Sequence, residues 1–108
     1  MIILTIPIWF HVKALPALEA AAAVTGIDKR TIAGRRKGVE PSYARHLAMY
    51  LAHYDGDLNK FEIGRLFGRD HSSVVMGVRR IELEMRTRPE TAADVEKCRA
   101  LLSAGVPA

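Results

Sequence analysis

The chain has 108 residues, which fits one domain with a modest single core. Sixteen Lys and Arg against twelve Asp and Glu give a formal charge of +4 and a pI near 9.6. That balance suits a polyanionic partner without requiring one. Cys98 is the single cysteine, so an internal disulfide is excluded and nothing points to an oxidising compartment. The apolar start "MIILTIPIWF" is ten residues long, far short of the roughly 20 that a membrane span needs. It has no basic leading region and is broken by Pro7, so it makes a poor signal peptide. The expectation is a cytoplasmic protein with no membrane partner.

In chain order, residues 2 to 10 are β-branched and aromatic around Pro7. They read as a short edge strand or an extended arm, either covering the core or pairing with a second subunit. "ALPALEAAAAVTG" is rich in Ala and Leu and stops at Gly26, which predicts a helix. "DKRTIAG" predicts a short helical turn from Asp28 to Gly34, and "RRKGVE" a basic loop. Pro41 suits the first position of the next helix. In that helix Ala44, Leu47, Ala48 and Leu51 share a face. "LNKFEIGRLFG" predicts a short helix with Ile63, Leu66 and Phe67 inward, closed by Gly68. "HSSVVMGVRRIELEMRTR" follows, with Val74, Val78, Ile81 and Met85 as its inward stripe. Thr87 to Pro89 break the chain before a last helix whose apolar residues include Ala92, Val95, Ala100 and Leu102. The fold class is all-α, a bundle of five or six helices with a short extended N-terminal arm. Residues 1–13 form the arm and 14–104 the helical domain.

The segment from Leu58 to Met85 reads as helix, tight turn, helix, with a polar first turn on the second helix. In a helix-turn-helix that turn enters the DNA major groove. Asp70 can cap the helix or accept from a cytosine amino group. His71 can meet a thymine methyl or a base edge. Ser72 and Ser73 are small enough for close approach, and Arg69 can bond a phosphate. Taken by residue type alone, the same stretch also reads as an ordinary helix start with a solvated histidine.

The run "EIGRLFGRDHSSV" resembles the C-terminal DNA-binding domain, domain IV, of the bacterial replication initiator DnaA. The residues that carry the resemblance are Glu62, Ile63 and Gly64, then Phe67, Gly68, Arg69, Asp70, His71, Ser72, Ser73 and Val74. "YARHLAMYLA", with Ala44, Arg45, Met49, Tyr50 and Leu51, and the basic loop "GRRKG" extend it. The resemblance implies a TrpR-like helix-turn-helix in which Arg69, Asp70, His71, Ser72 and Ser73 face the major groove of a DnaA-box-like site. It implies that Arg45 contacts bases or phosphates, with His46 standing beside it where the family commonly has glutamine. Arg35, Arg36 or Lys37 would enter the adjacent minor groove, where narrow A·T-rich DNA attracts cations. Arg79 and Arg80 would be phosphate contacts or solvated surface arginines. One glycine precedes Arg69 where the family usually has two, which shortens the turn.

The expected function is sequence-selective binding of double-stranded DNA, regulating transcription or replication by occupancy. The nucleoid would be its location, and DnaA or RNA polymerase its indirect partners. No G-x-x-x-x-G-K-[ST] run occurs, so no ATP-driven motor is expected. His46 and His53, seven apart with one distant cysteine, make no convincing metal set. No enzyme chemistry and no cofactor is expected. The alternative is a protein-interaction module binding the initiator or another partner, anchored by Ile8, Trp9 and Phe10, which would also serve a homodimer.

Overall fold

The computed structural model describes residues 7–105. Residues 2–6 of the stretch expected to be extended lie outside them. From Pro7 onward the chain is not extended: Ile8–Phe10 forms one turn of 3-10 helix, closed by the Phe10 N–H donating to the Pro7 carbonyl. Pro7 sets the entry with φ −58°. Burial of Ile8 in the core holds the turn in place. Of the three residues expected to anchor an interface, Ile8 is buried and Trp9 half-buried, with the Arg30 guanidinium over its ring, while Phe10 is exposed.

Among the described residues six α-helices follow: α1 (Ala14–Thr25), α2 (Lys29–Ala33), α3 (Val39–Tyr54), α4 (Lys60–Phe67), α5 (His71–Thr87) and α6 (Pro89–Ser103). No strand occurs among the described residues. Local chemistry sets most of the boundaries. Gly26 ends α1 in the left-handed conformation at φ +75°. Asp28 caps α2 by accepting from the Arg30 N–H at 3.0 Å. Asn59 and Glu62 form a reciprocal capping box at the start of α4.

One boundary falls earlier than expected. Helix α3 begins at Val39, so Pro41 is its third residue and not its first. The cost is nil for the same reason that was invoked for the first position: none of the first four N–H groups of a helix has an intrahelical partner.

The packing is organised around α3. Ala44, Leu47, Ala48 and Leu51 are all fully buried, and Met49, Tyr50 and Ala52 join them on neighbouring faces. A helix buried on that much of its circumference lies inside the bundle. α1 packs on it with Ala14, Ala17, Leu18 and Ala21 buried, and the three small alanine side chains let the two axes approach. α5 packs on it through Val74, Val78 and Ile81, as the stripe predicted, with Met85 only half-buried. α6 closes the bundle against α1 and α5 through Thr91, Val95 and Cys98, while Ala100 is exposed. Cys98 donates to the Ala20 carbonyl, and burial pushes its thiol up to about 12, so it is an inert core side chain.

Two close approaches bring α4 and α5 to their positions. A Cβ at Gly64 would stand 2.7 Å from the Arg69 carbonyl oxygen. A Cβ at Gly77 would stand 2.7 Å from the His46 ring. Gly64 thus lets the start of α5 lie directly against α4, and Gly77 lets α5 lie against α3. Gly64→Ala is expected to lower stability by about 1–2 kcal/mol, because a backbone carbonyl must shift and that outweighs the gain in helix propensity. Urea unfolding checks this; a raised midpoint would contradict the close approach.

Candidate nucleic-acid interface

The turn between α4 and α5 is built by Gly68, Arg69 and Asp70. Gly68 adopts φ +64°, and its N–H donates to the Arg65 carbonyl at 3.3 Å. The Arg69 N–H donates to the Gly64 carbonyl at 2.8 Å. This nested pair is a Schellman closure, and it needs one residue free to take a positive φ. A single glycine before Arg69 therefore suffices to end α4 and start α5. Asp70 then caps α5, accepting from the Ser73 N–H at 3.1 Å. Hydrogen bonds from Ser73 hold the Asp70 carboxyl below the usual carboxylate range. Asp70, His71, Ser72 and Ser73 are all exposed. Their position on the first turn is the one that sequence spacing predicted.

The other half of the site is the segment from Gly34 to Gly38. Arg35, Arg36 and Lys37 are exposed on it. It has no regular structure to hold it, and two arginines do so from below. Arg45, on α3, is only 6 % exposed. Its Nε donates to the Ile32 carbonyl at 2.8 Å, and its Nη2 donates to the carbonyls of Arg36 at 2.9 Å and Thr31 at 3.3 Å. Two of those acceptors belong to the C-terminal part of α2, where a cation is favoured by the free carbonyls. Arg69 supplies the second tie. Its Nη2 donates to the Gly34 carbonyl at 2.8 Å and its Nη1 to the Phe67 carbonyl at 3.3 Å. The loop is therefore tied at one point to α3 and at another to the turn that begins α5.

These bonds change the reading of two predicted residues. Arg45 was expected at a base or phosphate; its Nε and one terminal nitrogen are engaged with backbone carbonyls inside the protein. Arg69 is half-exposed and is likewise engaged at both terminal nitrogens. His46 is half-buried against Gly77, and burial followed by the charges of Arg80 and Arg45 lowers its pKa, favouring the neutral ring. Arg79 and Arg80 are exposed on α5, and Arg80 pairs with Glu84 at 3.0 Å.

The structure thus gathers the exposed residues of the loop with the first turn of α5, and assigns Arg45 and Arg69 to holding them in register. Sequence reasoning missed that role. The signal was an arginine set among Ala44, Leu47 and Ala48 in the apolar part of a helix, since a buried cation needs acceptors close by. It also missed two exposed apolar residues at the site, Met76 one turn after Ser72 and Phe61 on α4.

Among the described residues the ion pairs are Lys29–Glu19, Arg80–Glu84 and Arg99–Asp55. None involves Arg35, Arg36, Lys37, Arg45, Arg69 or Arg79. Five of these six cations cluster at the loop and the turn beneath it, with carbonyls rather than carboxylates as the acceptors they have. No group of three or more metal-ligating side chains occurs among the described residues, and no helix there is long and apolar enough to cross a membrane.

Arg45→Met keeps the aliphatic bulk and removes the donors. It is expected to cost about 1.5–3 kcal/mol, the scale of charge-assisted hydrogen bonds, and to speed trypsin cleavage within residues 35–37. Unchanged stability together with unchanged cleavage would show that the loop does not depend on Arg45.

Comparison with known proteins agrees with this geometry. A family model described as the bacterial DnaA protein helix-turn-helix matches residues 17–81, a span that includes α2, α3, α4 and the first part of α5. The chain is 38 % identical to the chromosomal replication initiator protein DnaA of Roseiflexus castenholzii over an alignment of 85 residues that covers 74 % of this chain and 18 % of that protein. It is 31 % identical to the DnaA of Treponema pallidum over 87 residues, 80 % of this chain and 19 % of that one. It is 43 % identical to the DnaA of Thermomicrobium roseum over 70 residues, 64 % of this chain and 15 % of that one. The chain spans less than a fifth of the length of these relatives. Matched through its turn, its basic loop and its central helix, the chain belongs to the bacterial DnaA helix-turn-helix family.

Proposed function

We propose that the chain binds double-stranded DNA at DnaA-box-like sites and acts by occupying them, at origins or promoters. The observation that carries this reading is the set of unneutralised cations held beside the polar first turn of α5. Arg35, Arg36 and Lys37 stand exposed without a carboxylate partner, and Asp70, His71, Ser72 and Ser73 stand exposed at a helix N-terminus. Cations with no internal counter-charge favour an external polyanion. A helix N-terminus with small polar side chains fits the major groove, and a cationic loop beside it fits a narrow adjacent minor groove. Arg79 adds a phosphate contact farther along α5.

In this mechanism phosphate contacts set the register and His71, Ser72 and Ser73 read base edges. Asp70 serves chiefly as the cap that presents them, so its carboxylate is engaged before DNA arrives. Each phosphate neutralised releases counterions, which makes the affinity fall steeply with salt.

Titration of the protein with a DnaA-box duplex and a scrambled duplex of equal length, at two salt concentrations, tests the reading. The box is expected to bind more tightly. His71→Ala should reduce its advantage by about 1–3 kcal/mol. Arg36→Ala leaves the carbonyl that Arg45 uses in place, and should weaken both duplexes and lower the salt slope by about one. Equal binding of box and scrambled duplexes by the wild type would contradict sequence-selective occupancy.

A further inference from the structure

Phe61 is an exposed aromatic residue, 66 % accessible, on the second position of α4. It does not contribute to the core. Its ring lies on the His71 imidazole with centroids 3.9 Å apart and planes 13° from parallel. His71 is itself exposed, so the stack buries neither ring. What it does is fix one ring relative to the other.

Both ends of the stack are held by backbone chemistry. The Glu62 N–H donates to the Asn59 side chain at 2.9 Å, and the Asn59 N–H donates to Glu62 Oε1 at 3.3 Å, which sets the first turn of α4 around Phe61. The Asp70 cap sets the first turn of α5 around His71. Gly64 lets those two turns touch, because the Arg69 carbonyl occupies the space a side chain would need. Ten residues apart in sequence, the two rings meet by construction of the turn and not by an incidental surface contact.

The imidazole of an unsupported histidine rotates broadly about its second side-chain torsion. A parallel aromatic ring restricts that rotation. It fixes the plane in which the imidazole N–H and lone pair lie, and it covers one face of the ring with hydrocarbon. Only the edge and the opposite face then remain for a base. Hydrogen bonding to a base edge is in-plane and directional, so a fixed plane discriminates between bases where a rotating one averages over them.

We infer that Phe61 is a positioning residue that sets the selectivity of His71 by stacking on its ring. This deepens the DNA-binding reading and rests on it. The quantity to measure is the ratio of dissociation constants for scrambled and DnaA-box duplexes, in the wild type, Phe61→Ala, Phe61→Tyr, His71→Ala and the Phe61→Ala/His71→Ala double variant. Because Phe61 is exposed, its replacement is expected to leave the unfolding midpoint near that of the wild type. Phe61→Ala should lower the ratio by about two- to tenfold, the strength of an aromatic pair. Phe61→Tyr, which retains a stacking ring, should preserve it. With His71 already alanine, removing Phe61 should change the ratio no further. The ring-current shift of the His71 protons in NMR spectra should disappear in Phe61→Ala and persist in Phe61→Tyr. An unchanged ratio in Phe61→Ala, or an equal loss whether or not His71 is present, would overturn the inference while leaving DNA binding intact. A wild type with no preference between duplexes would overturn sequence-selective occupancy and this inference with it.

Discussion

Two guanidinium groups hold this molecule's irregular segment in place. Arg45 and Arg69 donate to the carbonyls of Thr31, Ile32, Gly34 and Arg36, all within one stretch of six residues. That stretch comprises the end of α2 and the start of the basic loop, and neither would persist unaided. A helix of five residues is far below the length at which helices are stable alone. A loop bearing three adjacent cations repels itself. The arginine donors satisfy the free carbonyls at the end of α2 and also fix where the loop runs.

The choice of carbonyls over carboxylates as acceptors has a consequence. A buried arginine is often paired with an acid, which would cancel its charge. Here the acceptors are neutral, so the positive charge of Arg45 and Arg69 remains beneath the charges of Arg35, Arg36 and Lys37. Burial, and then the neighbouring charge of Arg69, lower the pKa of Arg45 from its ordinary value, and a guanidinium nonetheless stays protonated. The same bonds that order the loop thus preserve a concentrated positive field at the face where Asp70 to Ser73 emerge. Arg69 joins the two parts because it belongs to the turn and reaches the loop. Any displacement of the α4–α5 turn is transmitted to Gly34 through one side chain.

Much of the fold was legible because it depends on local signals. Gly26 and Gly68 end helices through a conformation that glycine adopts freely, and Asp28 and Asp70 start helices by accepting from nearby N–H groups. The apolar stripe of α5 was readable from its spacing. The start of α3 was not, because Pro41 is compatible with either the first or the third position and only tertiary packing decides between them. At the site, the composition of the loop and of the "RDHSS" run singled out two segments that are exposed and tied together through Arg69, and the resemblance to the DnaA family singled out the same two. The roles within the region were not legible. Whether Arg45 meets a ligand or three carbonyls depends on where residues 31 to 36 lie in space, and no local pattern encodes that. His46 looked like a companion of Arg45 and is a ring packed over Gly77. The stack of Phe61 on His71 depends on the space at Gly64; a glycine there signals that backbones can come close, but not which side chains then meet.

The loop and the first turn of α5 should therefore meet one DNA molecule as a single rigid surface. Amide chemical-shift mapping of the isotope-labelled protein, titrated with a DnaA-box duplex, tests this most directly. Residues 35–37 and 70–73 are expected to shift together with one apparent affinity, while the exposed face of α6 stays unchanged. Shifts confined to only one of the two segments, or centred on α6, would contradict it.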